Sequence, residues 1–451
     1  MLLVLILAAL IVFIVLATTR LKLHPFLALL AAAFLGGFAY RLPAGEIVGQ
    51  ITSGFGGILG GIGIVIALGT IIGVILERSG AAITMAETVI RLLGQRFPTL
   101  TMSVIGYLVS IPVFCDSGYV ILNALKNALA TRMNVSVVAM SVALATGLYA
   151  THTFVPPTPG PIAAAGNLGL GSQLGLVIAV GLLVSAITAL AGLWWASRFL
   201  GKAVELEDYG LPQEERDFEA LRASYGVLPG AGRAFAPILV PILLICLGSL
   251  AAFPTRPLGE GLAATVLGFL GQPVVALLVG LAFACLLLKG PNRRQGFHNQ
   301  VAEGLIQAAP ILLITGAGGA FGAVLKATPL GDYLGQTLSA LGVGLLMPFL
   351  VSAALKTAQG STTVALVTTS AMVAPLLPEL GLDSDMGRVL TVMAIGAGGM
   401  TVSHANDSFF WVVTQFSRMP VALAYKAQTM ATLVQGIVGI ITVWLLGLFL
   451  L

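Results

Sequence analysis

The chain has 451 residues, of which 58% are hydrophobic and 9% charged, with a formal net charge of +4. Soluble domains carry about 25% charged residues, so the composition excludes a water-soluble globular enzyme and points to a chain built for a bilayer. The basic residues sit mostly in the connections between apolar runs, which reads as membrane topology and not as affinity for nucleic acid.

A helix that crosses a bilayer needs about 20 apolar residues. The first candidates are 2–18, a short one at 26–40, and 54–76, which is dense in glycine from Gly54 to Gly73 and is expected to pack against other helices. No basic residue precedes the first apolar run, whereas Arg20 and Lys22 follow it, so a retained span is expected in place of a cleaved leader. Residues 81–97 carry Glu87, Arg91 and Arg96 among apolar positions at helical spacing and read as an amphipathic interfacial helix. A span at 99–115 ends in a break at Cys115-Asp-Ser-Gly118, followed by a short piece at 119–130 and a span at 135–151. The stretch Thr146–Pro161 then holds a histidine, five hydroxyl residues and four prolines, unlike any ordinary spanning helix. Lys126 and Arg132 read as interfacial.

A long span follows at 174–197, and 198–233 forms the one sizeable polar segment. This divides the chain into an N-terminal membrane repeat (1–200), a polar cytoplasmic linker (201–233) and a C-terminal membrane repeat (234–451). The second half offers spans at 235–253 and 262–288, a basic loop Lys289–Arg294, and spans at 304–325 and 341–358. A break from Lys356 to Thr363, a short piece to 377, a span at 388–402, a Ser403-His-Ala-Asn-Asp407 break and a terminal span at 430–451 complete it.

Excess Lys and Arg mark cytoplasmic loops, which places Arg20–Lys22, 202–233 and 289–294 inside. The spans 54–76 and 304–325 then run in opposite directions, and Gly69–Ser79 lines up with Gly318–Thr328. Each half continues with a polar-Gly break, a short piece, another span and a hydroxyl-His break. That order predicts an all-α polytopic secondary transporter of two inverted repeats, with broken helices and re-entrant hairpins meeting near the midplane.

Non-helical backbone at membrane depth is tolerated only where protein or a watery cavity covers it, so the breaks are the candidate binding site. New helix N-termini near Ser117-Gly118, Pro159-Gly160-Pro161 and Gly360–Thr363 suit an anion. Hydroxyls of Thr151, Thr153, Thr158, Ser361, Thr362 and Thr363 can add bonds to a carboxylate or a polyol, with satisfaction of helix backbone as their bland alternative. His152, His404 and Asn406 stand at the same breaks and complete the expected substrate contacts. The predicted ligand is a small hydroxylated acid. Asp116 and Asp407 are acids placed within apolar sequence at a break, which reads as functional by default. They are the candidates for proton coupling, with His152 and His404 as possible relays. Lys356 is placed either to balance a substrate carboxylate or to snorkel to an interface.

Cys115, Cys246 and Cys285 share no metal-ligand spacing and are expected to pack as small hydrophobes, so no metal or cofactor is expected. Nothing resembles a metal-binding His-Glu-x-x-His helix, a nucleophile elbow or a phosphate loop, and enzyme function is not expected. Sodium coupling is the alternative within transport; a passive anion channel and an intramembrane hydrolase are the alternatives from other classes.

Four motifs, Phe114–Leu122, Ala150–Pro161, Gly360–Ala365 and Ser403–Trp411, resemble those of the gluconate permease family of gluconate:proton symporters, and the resemblance covers nearly the whole chain. It implies proton-coupled import of gluconate or a related sugar acid across a bacterial inner membrane. It also implies membership of a wider superfamily of inverted-repeat transporters, which often work as dimers through an elevator-like movement. Typical members have His at the position of Thr158 and Glu at that of Asp116. Asp116 keeps the carboxyl on a shorter side chain. Thr158 removes a possible donor beside the substrate, which opens the substrate class to D-serine, glycerate-like acids and other aldonates or uronates.

Overall fold

The computed structural model describes residues 2–93, 96–133, 135–199, 219–251, 261–288, 292–328, 344–404 and 407–451. The described residues fold into helices with no strand among them. Six of the helices are long and apolar enough to cross a membrane, or seven if one bent pair counts as a span.

The scaffold is a pair of long helices, α3 (Ala44–Arg78) and α13 (Arg293–Lys326). At 1.5 Å per residue, each is about 50 Å long and outreaches the ~30 Å hydrocarbon core. They pack against each other through missing side chains: a Cβ on Gly54 would lie 2.5 Å from the carbonyl oxygen of Gly319. Backbones approach this closely only where both sides are small. These are also the two segments whose sequences line up. The helices α1 (Leu2–Thr19) and α2 (Pro25–Ala39) flank the pair, and α2 packs on α13.

Two hairpins and two broken helices make the centre. In the first half, α4 (Ala81–Leu93) and α5 (Pro98–Val109) lead to an irregular Ser110–Phe114 segment and then α6 (Cys115–Arg132). The helix α7 (Val137–Phe154) breaks at Val155–Thr158 before α8 (Pro159–Asn167), and α9 (Leu174–Ser197) returns across. In the second half, α10 (Ala231–Ala251), α11 (Leu262–Leu270) and α12 (Pro273–Cys285) precede α13. Then come α14 (Leu346–Gln359), α15 (Thr362–Val373), α16 (Asp385–Met400), α17 (Ser408–Phe416), a short α18 (Val421–Ala424), a π-helical turn at Tyr425–Thr429 and α19 (Met430–Leu450).

The packing of the first half recurs in the second: α5 on α7 as α14 on α16, and α7 on α9 as α16 on α19. The halves interlock, because α8 packs on α15 and α17 packs on α6. Each half therefore presents its break to the other.

Several boundaries differ from the sequence reading. The first break lies at Ser110–Phe114, upstream of Cys115–Gly118, because Pro112 has no N–H to continue a helix. Thr151-His152-Thr153 remains helical, and the break falls three residues on, where Val155 is extended ahead of Pro156 and Pro157 (φ −113°, ψ 116°). The expected single span 262–288 is bent by 72° between α11 and α12, where Gln272 precedes Pro273. Lys126 is fully buried and not interfacial, donating to Asn123 Oδ1 (2.8 Å), Ser141 Oγ (2.9 Å) and Ser417 Oγ (3.2 Å). The Arg132 side chain and most of the polar linker, 201–218, lie outside the described residues.

Candidate functional site

The breaks close around a cavity of about 460 Å³. Its wall is drawn from α6 (Cys115, Asp116), α7 (Tyr149, His152), α13 (Pro310, Ile311, Ile314), the α14–α15 break (Gly360 to Val364) and the start of α17 (Asp407, Ser408, Phe409). Pro310 in mid-helix leaves the carbonyl four residues earlier without its helical donor, so even the long scaffold helix offers a polar group near this level.

Three helix N-termini converge here. The helix α6 starts at Cys115 and has Asp116 in its first turn. The helix α15 is capped by Ser361, whose Oγ accepts from the N–H of Val364 at 3.3 Å. Gly360 takes the left-handed conformation (φ 86°) that terminates α14 and turns the chain into that cap. The helix α17 is capped by Asp407, whose Oδ1 accepts from the N–H of Phe409 at 3.1 Å. Each N-terminus carries unpaired N–H groups and a partial positive charge, so the cavity favours an anion.

The two acids stand in different surroundings. Asp407 is 4% exposed and ion-paired at 2.7 Å with Lys356 Nζ, which is wholly buried. Lys356 also donates to the carbonyl of Gly360, and the Ser403 hydroxyl bonds to the Asp407 carboxylate. One cation thus ties the α14–α15 break to the cap of α17. Asp116 bonds to Ser408, and the Cys115 thiol lies 3.8 Å from its Oδ2. Its Oδ1 is buried with no hydrogen-bond partner among the described residues. His152 is 6% exposed with its Nδ1 likewise unpartnered and its ring against Phe114 (5.8 Å between centroids).

Of the residues singled out from sequence, the cavity brings together Asp116, His152, Gly360, Ser361, Thr362, Thr363 and Asp407. The others are placed elsewhere. The hydroxyls of Thr151, Thr153 and Thr158 donate to the carbonyls of Tyr107 (2.8 Å) and Tyr149 (2.7 Å), both in helices, and of Val155 (2.6 Å) in the break, satisfying backbone and not facing the cavity. Ser117 bonds to Glu77 at the end of α3. Gly118 and Gly160 serve close packing against Leu148 and Leu366. His404 donates from Nε2 to the Thr357 carbonyl at 2.9 Å and so braces the two breaks. Asn406 lies outside the described residues.

Three aromatic residues were missed. Tyr149 shares a 2.6 Å hydrogen bond with the Thr362 hydroxyl and stacks on Phe409 at 5.3 Å, while Tyr119 meets the other edge of Phe409 at 6.2 Å. With Phe114, Tyr149 and Phe409 give the cavity an apolar wall facing its polar one, and Tyr119 backs Phe409 from outside the lining. In sequence, an aromatic within an apolar run is unremarked; position 149 is signalled only by its spacing of three from His152. Cys115, expected to be mere packing, also reaches the cavity.

Comparison with known proteins agrees with this architecture. A profile of the GntP family permeases matches residues 1–449. A gluconate permease of Pseudomonas aeruginosa is 34% identical over 441 residues, covering 96% of this chain and 94% of that one. The D-serine transporter DsdX of Escherichia coli is 34% identical over 445 residues, covering 97% and 96%. Among solved structures, the YdaH transporter of Alcanivorax borkumensis, described as having an unusual topology, superposes with a TM-score of 0.59 over 91% of this chain and 90% of its own, at 17% identity. That likeness concerns the fold.

Proposed function

The chain belongs to the GntP family of permeases and is a multi-pass protein of the bacterial inner membrane, and from that premise we propose that it imports a small hydroxy-carboxylate together with a proton. The substrate carboxylate rests against the N-termini of α15 and α17, within reach of Ser361, Thr362 and Thr363. Its hydroxylated chain runs between these hydroxyls and the C–H-binding faces of Tyr149 and Phe409. Gluconate and related aldonates fit that division of polar and apolar wall.

The observation that carries the coupling is the asymmetry of the two acids. Asp407 has a buried cation at 2.7 Å, whereas Asp116 Oδ1 has no hydrogen-bond partner among the described residues. Two like charges ~5 Å apart repel by about 3 kcal/mol at an effective dielectric of ~20, which opposes entry of an anion while Asp116 is ionised. A proton on Asp116 removes that repulsion. Asp116 is therefore the coupling group in this reading, Asp407 with Lys356 forms a fixed neutral pair, and His152 stands beside the route as a relay.

The test is uptake of labelled gluconate, D-glycerate and D-serine into proteoliposomes under an inward proton gradient without sodium, and under a sodium gradient without a pH difference. The reading predicts accumulation of one of the acids in the first condition only. Accumulation in the second alone would replace it with sodium coupling.

A further inference from the structure

The C-terminal end of α9 and the π-helical turn ahead of α19 meet at one corner of the molecule, far from the breaks in sequence and in role. Ser197 runs on into the polar segment 198–233, which reads as cytoplasmic from its basic residues. At this corner Trp195 Nε1 donates to the carbonyl of Lys426 at 3.2 Å and holds the turn against α9. The Arg198 guanidinium lies over two indoles, 4.1 Å from the Trp194 ring and 4.8 Å from the Trp195 ring, and the rings are tilted 56° to one another. A guanidinium seated on aromatic faces keeps its in-plane N–H groups for a bidentate acceptor such as a phosphodiester. The chain supplies no such acceptor. Arg198 and Lys426 are exposed, and neither makes an ion pair or a side-chain hydrogen bond among the described residues. Other basic side chains do, Arg78 with Glu303 at 2.5 Å and Arg222 with Glu87 at 3.0 Å. Residues 174–200 and 408–451 contain no Asp or Glu, so the corner is positive without a neighbouring acid.

Apolar surface continues from it along both helices, which pack side by side. On α9, Trp194 is 54% exposed, and Leu190 and Leu183, four and eleven positions before it on the same helical face, are exposed too. At 1.5 Å per residue that face runs for about 17 Å, close to the ~15 Å of one leaflet's hydrocarbon. On α19, Ile437 and Ile441 are exposed in the same way. We propose that this corner binds an anionic phospholipid, its phosphodiester between Arg198 and Lys426 and its acyl chains along the exposed faces of α9 and α19. Indoles and basic groups together at headgroup level are the chemistry that recognises such a lipid. A zwitterionic lipid brings its own cation to the phosphate and gains less from the two basic groups; a free phosphate ion lacks the chains that the apolar faces would hold.

The experiment places the full chain in vesicles of phosphatidylcholine and phosphatidylglycerol, with bromine on the acyl chains of one lipid or the other to quench tryptophan on contact. Two of the four tryptophans, Trp194 and Trp195, stand at the site. Each basic group near the surface favours an anionic lipid by about fivefold, so the wild-type chain is expected to prefer phosphatidylglycerol by about tenfold or more. Arg198→Gln/Lys426→Gln is expected to bring the preference down to about one, and Arg20→Gln, an exposed basic residue elsewhere on the expected cytoplasmic face, to leave it unchanged. Equal quenching by the two lipids in the wild-type chain overturns the proposal, and so does an equal loss in Arg20→Gln, which would mean diffuse attraction of charge. Inorganic phosphate that abolishes the preference, beyond the effect of chloride at the same ionic strength, would make this an ion site and overturn the lipid assignment. The readout is lipid contact and not transport, and the wild-type chain beside Arg20→Gln decides the matter even if the double variant does not fold.

Discussion

Replacing Lys356 by methionine keeps most of the side-chain volume and removes the cation from one of the most buried charged groups of the molecule. Lys356 is 0% exposed and Asp407 4%, and their atoms meet at 2.7 Å. Removing one partner of a buried pair commonly destabilises by about 3–5 kcal/mol, because the other charge stays behind uncompensated. The same substitution also places a second acid in the cavity. An Asp407 carboxylate ~6 Å from a bound anion, at an effective dielectric of ~20, opposes binding by roughly 3 kcal/mol, about a hundredfold in affinity. Lys356→Met should therefore unfold at a clearly lower temperature in detergent and take up little acid. The double variant Lys356→Met/Asp407→Asn removes both charges and should recover most of the thermal stability, since a neutral replacement of a buried pair is often tolerated. The assay is thermal unfolding of the purified chain followed by tryptophan fluorescence or aggregation, with wild type, both single variants and the double variant side by side. Additive losses, with the double variant worse than either single one, would refute the assignment of these residues as a pair.

In Asp116→Asn the hydrogen bond to Ser408 can persist while the ionisable oxygen is lost; exchange of internal for external labelled acid should survive, and uphill accumulation under a one-unit pH gradient should fall from about tenfold to none. Accumulation equal to wild type would remove Asp116 from the coupling role. Tyr149→Phe deletes the hydroxyl shared with Thr362 at 2.6 Å and should weaken half-saturation by a few fold, corresponding to about 1 kcal/mol, with little change in maximal rate. An unchanged half-saturation would mean that the Tyr149 hydroxyl does not hold the α15 cap in its binding arrangement. Val402, a β-branched residue at φ 59° in the second break, stores backbone strain, so Val402→Gly should raise the melting temperature by an amount corresponding to about 1 kcal/mol. A lower melting temperature would show that the Val402 side chain contributes more than its backbone costs.

The breaks were legible because a cluster of Pro, Gly, His and hydroxyl residues inside an apolar run has few physical explanations at membrane depth. That is why seven of the candidate residues meet at one cavity although they stand in four separate motifs. The direction of each side chain was not legible. Thr151, Thr153 and Thr158 look identical in sequence to Ser361, Thr362 and Thr363, yet the first three close onto backbone carbonyls, of the neighbouring helix α5 for Thr151, one turn back for Thr153 and within the break for Thr158, whereas the α14–α15 break lines the cavity with its hydroxyl residues. Lys126, read as interfacial but buried, and Lys356, left open between two roles, escaped for a related reason. A lysine in an apolar segment can snorkel or be paired, and the partners that decide it, Ser417 and Asp407, lie 291 and 51 positions away. The bend at Gly271-Gln272 was hidden because its two arms are each fully apolar, so composition alone joins them.

Coupled entry of a proton with the acid is tested most directly by internal pH. Sealed, sodium-free proteoliposomes carrying a trapped pH dye are given gluconate outside at equal internal and external pH, alongside empty liposomes given the same acid. The structure predicts internal acidification that saturates with gluconate concentration and is absent from the empty liposomes and from Asp116→Asn. Saturable entry of labelled gluconate with no change in internal pH would contradict it.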